Sequence, residues 1–92
     1  MNEPVFYTYV LLCRDGTFYT GWTCDMEARL RAHNEGRGAK YTRGRRPVRP
    51  VRVETFATRS DAMRREREIK LMTRTEKARL TRAAYLSHDR PL

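Results

Sequence analysis

Apolar and polar positions alternate with a period of two near the start of the chain, switch to helical spacing, and alternate once more. Val5 to Cys13 is apolar and aromatic, and the strand it predicts carries Tyr7, Tyr9 and Leu11 on one face. Arg14-Asp15-Gly16 follows, and Asp-Gly is the strongest short-range signal for a hairpin turn. Phe18 to Trp22 is the return strand, with Tyr19 and Gly21 on one face. A glycine inside a strand marks close approach of another backbone or a ligand. Tyrosines are also ordinary strand residues at a core edge, and alternation alone does not choose between the two readings.

Helical spacing begins at Asp25 and runs to about Glu35, with Met26, Leu30 and His33 on one stripe. Thr23 or Asp25 can cap it, and Asn34 to Gly38 ends it. Arg29 lies about 60° from Met26 and about 40° from His33 around the helix, at the border of the buried face. There it can reach into a cleft or lie along the core edge. Gly36 to Arg52 carries glycines and prolines that predict no helix. Val51 to Phe56 alternates again and is a third strand. Arg59-Ser60-Asp61 opens another helix, with Ser60 as the cap. Thr73 to Tyr85 is the last, opened by a Thr73/Glu76 capping box and followed by a tail from Ser87 to Leu92.

The predicted order is β-β-α-β-α-α, an α+β domain with a small three-stranded antiparallel sheet flanked by helices. One domain is expected over residues 1–92, with its core at about residues 5–82.

On the helix opened by Arg59, taking Glu66 as zero puts Ala62 at about −40°, Met63 at about +60° and Ile69 at about −60°. Glu66 is thereby expected in the middle of an apolar stripe, the one acid that needs an explanation. A buried carboxylate is costly unless it is paired or binds a cation. Its partner is therefore an arginine, a tyrosine or a divalent metal.

Charge changes the picture. The net charge is +9, and seventeen of the 20 Lys+Arg are arginine, the planar bidentate partner of phosphate. A domain this small and this basic is expected to bind nucleic acid, with anionic membranes and acidic proteins as alternatives. The segment from Gly36 to Pro50 holds no acid, and Lys40, Tyr41, Arg43, Arg45 and Arg46 offer cations around a stacking ring. A solvated loop is the plainer reading of the same residues. No stretch is long and apolar enough to span a bilayer and no signal peptide precedes the first strand, so a cytoplasmic protein is expected. Cys13 and Cys24 lack zinc-ligand spacing and read as reduced and structural.

In this order the motifs resemble the GIY-YIG endonuclease superfamily, specifically its small stand-alone bacterial members. Tyr7-Thr8-Tyr9 stands where the family has Gly-Ile-Tyr, and Tyr19-Thr20-Gly21 where it has Tyr-Ile-Gly. Asp25 to Leu30 with His33-Asn34 is similar to the family's first helix and its arginine. Gly38 to Val48 resembles the loop of the stand-alone subgroup, and Ala62 to Glu66 the helix that bears the family's glutamate. Tyr7 departs from the first glycine of the pattern.

The resemblance implies metal-dependent hydrolysis of phosphodiesters in DNA, with RNA as the other nucleic acid, and a role in repair or recombination. It implies that Tyr9 and Tyr19 line the site and that one of them orients or deprotonates water. It implies that Arg29 holds the scissile phosphate, and that Glu66 binds one Mg²⁺ or Mn²⁺ ion. His33 is implied as a second base or a hydrogen-bond partner. Two other readings stay open: a basic binding module without cleavage, and an accessory that acts only with a protein partner.

Overall fold

The computed structural model describes residues 3–89, with side chains as far as Thr81. Strand β1 (Phe6–Cys13) turns back into β2 (Phe18–Thr23). The turn closes through Gly16 N–H donating to Cys13 O at 2.9 Å, and Gly16 has φ +85°, a conformation that side chains resist. The Asp15 carboxylate accepts from both the amide and the hydroxyl of Thr17, which fixes the far side of the turn. Helix α1 (Met26–Asn34) follows, capped by Asp25 rather than Thr23, with its side chain accepting from Ala28 N–H.

The segment expected to hold no helix contains a short one, α2 (Lys40–Arg43). Four residues fit between Gly38 and Gly44, and Thr42 is tied inward by side-chain bonds, so the flanking glycines bound the turn without forbidding it.

Strand β3 (Val48–Phe56) starts three residues before the alternation does. Sheet order is β2-β1-β3, all antiparallel, so β3 is an edge strand. Pro50 is tolerated there because edge strands and bulges can lack an amide donor, and the β1–β3 register shifts at Val10/Leu11. Helix α3 (Arg59–Lys70) is capped by Thr58, whose hydroxyl accepts from Asp61 N–H, and not by Ser60. Helix α4 (Arg74–Asp89) opens with the expected reciprocal bonds between Thr73 and Glu76, and continues to Asp89 through the start of the expected tail. The remainder of that tail lies outside the described residues.

Alternation along β1 splits the core into two layers. Tyr9, Leu11 and Cys13 face α1 with Val48, and Met26, Leu30 and Tyr19 pack against them. Val10 faces the other way with Val51 and Ile69, joined by Leu12, Phe18, Met72 and Leu80. Cys13 is buried; Cys24 is exposed and so is not the structural thiol expected of it. Among the described residues no helix is long and apolar enough to cross a membrane.

The inward face of α3 differs from the helical-wheel reading. Ala62 and Ile69 are fully buried, but Met63 is 37% exposed. The face therefore points between Arg65 and Glu66, whose side chains are 25% and 21% exposed. Glu66 sits at its border, not its centre, and pairs with Lys70 Nζ at 3.3 Å. The acid that does require partners is Glu54 on β3, with a side chain only 17% exposed. Arg65 Nε and Arg52 Nε each donate to it at 2.8 Å. Burial raises the Glu54 pKa, and the two guanidiniums outweigh burial and hold it below the ordinary glutamate value.

Candidate active site

The register places Tyr9 opposite Gly21 and Leu11 opposite Tyr19. Tyr9 and Tyr19 are thus diagonal neighbours on the α1 face, with ring centroids 6.4 Å apart. Gly21 is the residue that lets Tyr9 lie across the neighbouring strand: a Cβ there would stand 2.6 Å from Tyr9 Oη. The glycine in the second strand therefore makes room for a tyrosine of the same protein.

Helix α1 delivers the next two groups from one face, four residues apart. Arg29 Nε donates to Tyr9 Oη at 3.4 Å, and its Nη2 donates to Gly38 O at 3.1 Å. His33 is wholly buried, with Nε2 2.9 Å from Tyr9 Oη and Nδ1 2.8 Å from Thr42 Oγ1. Proton counting assigns the direction of each bond. Thr42 has one hydroxyl proton and gives it to Ala39 O at 3.1 Å. It therefore accepts from Nδ1–H of His33, which leaves Nε2 bare to accept the phenolic proton of Tyr9. The line runs from Tyr9 to His33 to Thr42 to the backbone, every donor pointing away from the sheet. Gly38 keeps it open, since a Cβ there would lie 2.2 Å from His33 Nδ1.

Electrostatics hold this line neutral. Burial and the nearby Arg29 charge lower the His33 pKa to about 4. Burial raises the Tyr9 pKa; the Arg29 hydrogen bond opposes it, while Tyr19 and the charge of Glu66 add to it. Arg29 is itself pushed upward, chiefly by its bond to Tyr9, and stays charged.

The outer wall is aromatic and cationic. Tyr41 on α2 packs near Tyr19 with ring centroids 5.8 Å apart, and the Arg45 guanidinium lies 4.0 Å over the Tyr41 ring. Arg45 also pairs with Asp15 at 3.0 Å, so it is partly neutralised and anchored to the hairpin turn. Arg46 binds Arg43 O and Asn34 O, which ties the loop to the end of α1. Lys40 and Arg43 project from the surface.

The structure thus brings Tyr9, Tyr19, Arg29, His33, Tyr41 and Arg45 together. Glu66 comes from another element, and its charge reaches Tyr9 without a direct hydrogen bond. Sequence reasoning missed Thr42, Gly38 and the direction of the His33 bonds. Gly38-Ala39-Lys40-Tyr41-Thr42 offered one signal: a glycine and a hydroxyl within reach of an inward histidine nine residues earlier.

A three-stranded sheet whose first two strands pair tyrosines beneath an arginine-bearing helix defines a small α+β domain with an aromatic and cationic site on one face of the sheet. A model of the GIY-YIG catalytic domain matches residues 5–79, and the chain belongs to the GIY-YIG family. It is 55% identical over 80 residues to a UPF0213 protein of Haloquadratum walsbyi, covering 87% of this chain and 89% of that one. A UPF0213 protein of Clostridium perfringens is 51% identical over 83 residues, covering 90% and 89%. The solution structure of a UPF0213 protein from Bacillus halodurans superposes with a TM-score of 0.57 at 44% identity, covering 86% and 84% of the two chains. That of an E. faecalis protein gives 0.60 at 43%, covering 99% and 97%. These relatives span bacteria and archaea, and membership places the chain in a nuclease family.

Proposed function

We propose that this protein is a divalent-metal-dependent endonuclease that cuts phosphodiester bonds in DNA. The observation that carries the reading is the hydrogen-bonded line from Tyr9 to Thr42 with Arg29 against the same phenol. A structural tyrosine needs one partner. This one has a cation on one side and a bare imidazole nitrogen on the other.

Glu66 is the residue suited to the metal. It is a hard oxygen donor, partly exposed, and its partner Lys70 is a helical surface pair that is weak enough to displace. A single carboxylate would serve, with water and phosphate oxygens completing the shell. Such an ion, when bound, supplies Lewis-acid polarisation and charge neutralisation at the phosphate.

The chain's own residues then do three things. Arg29 retains guanidinium donors for the non-bridging oxygens, where charge accumulates on attack. Tyr9 Oη takes a proton from the attacking water as its own proton passes to Nε2 of His33. One water O–H and one phenol O–H break, a new phenol O–H and an imidazole N–H form, the water oxygen bonds phosphorus as the P–O bond to the departing oxygen breaks, that oxygen takes a proton from bulk water, and buried His33 passes its proton back through Tyr9 to reset the line. At rest this transfer is strongly uphill, because the phenol is raised and the imidazole lowered. Negative charge arriving beside Arg29 offsets the Arg29 charge that lowers His33 and moves the transfer toward reaction. Tyr19 and Tyr41 form the rim on which a base can stack, and Lys40, Arg43, Arg45 and Arg46 supply phosphate contacts.

The test is cleavage of labelled duplex, branched and single-stranded DNA with Mg²⁺, Mn²⁺ or EDTA, by the wild type and Glu66→Ala. Metal-dependent cutting that the variant lacks, at unchanged circular dichroism, is expected. Equal cutting by both would remove the metal assignment, and binding without any cutting would leave a basic binding module.

A further inference from the structure

The basic loop divides. Arg45 turns toward Tyr41 and Asp15, on the tyrosine side. Arg43 and Arg46, with Arg14 from the hairpin, line a separate surface cleft of about 410 Å³ that Asn34, Gly44 and Pro47 complete. None of the residues around Tyr9 lines it.

Three arginines line this cleft, with no carboxylate among its walls. The acids adjacent in sequence are committed elsewhere, Asp15 to Arg45 and Glu35 to Arg37. Arg46 is held by two backbone carbonyls, which fix its position and leave its charge intact. Arg14 and Arg43 make no side-chain hydrogen bond or ion pair among the described residues. Exposed arginines without acids ordinarily spread apart, since like charges repel. Here the loop holds them around one concavity, where an anion with several acceptor oxygens would neutralise them.

The cleft is also adjacent to the candidate active site. Asn34 follows His33 on α1, and Arg43 follows Thr42 on α2, so its wall begins one residue beyond both partners in the proton line. We propose that the Arg14–Arg43–Arg46 cleft binds a backbone phosphate of nucleic acid other than the one being cut. This rests on the reading of the protein as a nucleic-acid binder, but not on its cutting anything. Arg14 is its distinguishing residue, because it lies outside the basic loop and meets that loop through its backbone, its N–H donating to Arg45 O at 3.0 Å, so that a change of its side chain leaves this bond in place.

The experiment is duplex DNA binding across a salt series by wild type, Arg14→Ala, Arg43→Ala and Arg79→Ala. Arg79 is an exposed arginine on α4, the helix that packs on the opposite layer, so Arg79→Ala removes the same charge elsewhere. A phosphate contact makes the log–log slope of affinity against salt shallower by about 0.9 when it is lost. Arg14→Ala and Arg43→Ala are each expected to show that change and a roughly tenfold weaker affinity at low salt. Arg79→Ala is expected to show neither. Arg14→Ala matching wild type in slope and affinity, or Arg79→Ala matching Arg14→Ala, would overturn the site. A protein that binds with these slopes and never cuts would overturn the nuclease reading alone.

Discussion

The two faces of β1 are built by the same strand and treat polar groups in opposite ways. On the α1 face, Tyr9 and His33 are buried and linked to Thr42, and each is kept neutral by its surroundings. On the α3 face, the polar groups are charged and cancelled: Glu54 takes Arg52 and Arg65 beside an apolar layer of Val10, Val51 and Ile69. Thr8 there is settled by a bond to Ala62 O at 2.7 Å. A neutral hydrogen-bonded line can pass a proton along; a saturated ion cluster cannot move one without leaving a charge unpaired. The comparison teaches that burial alone does not mark a site. What marks it is a buried group whose proton has somewhere to go.

The largest effect that sharpens this contrast is Tyr9→Phe. It removes the phenolic proton and little volume, so cleavage is expected to fall about 10³-fold while thermal unfolding shifts by a few degrees. A loss of fold instead of rate would make Tyr9 a core residue and nothing more. The mirror experiment is Ile69→Ala, which should lower unfolding free energy by about 3 kcal/mol through the cavity it leaves. Its cleavage, measured well below its own transition, should stay within a few-fold of wild type.

Acid separates the faces by pH. The folded-state pKa of His33 lies at about 4 against an ordinary value of 6.5, so the unfolded chain binds a proton first. Stability from this group is complete above pH 6.5, is lost as pH falls toward 4, and amounts to about 3 kcal/mol. Glu54 is also depressed, so its share persists to lower pH and disappears only below the ordinary glutamate range. Denaturant titrations from pH 7.5 to 2 should show two steps, and His33→Gln should erase the upper one alone. The smallest effect runs the other way. The Thr20 hydroxyl on the α3 side is buried without a partner among the described residues. Thr20→Val should therefore raise stability by about 1 kcal/mol and leave cleavage untouched.

The hairpin, the pairing of Tyr9 with Tyr19 and the Arg29–His33 helix were legible because each rests on a local period and short chain separations. The α3 face was not. Its central ion cluster joins residues on β3 and α3 that only the packed sheet brings together, and one misjudged methionine rotated the predicted face toward Glu66. Thr42 was hidden for a related reason. Its helix is too short to show a period, and its flanking glycines look like a loop until the buried histidine they accommodate is known.

The position of β1 between its neighbours has a consequence for the order of assembly. Pairing β1 with β2 needs a turn of a few residues, a closure on a microsecond scale of about 1–10 μs. Pairing β1 with β3 aligns Phe6 with Phe56 and must enclose α1, α2 and the whole basic loop. Long closures of this kind are slow relative to hairpins. The enclosed segment, residues 14–47, carries Arg29, His33, Thr42 and all three arginines of the cleft. The paired tyrosines are therefore joined by the shortest closure in the sheet, and the helix that carries Arg29 and His33 is locked over them only when the longest one is made.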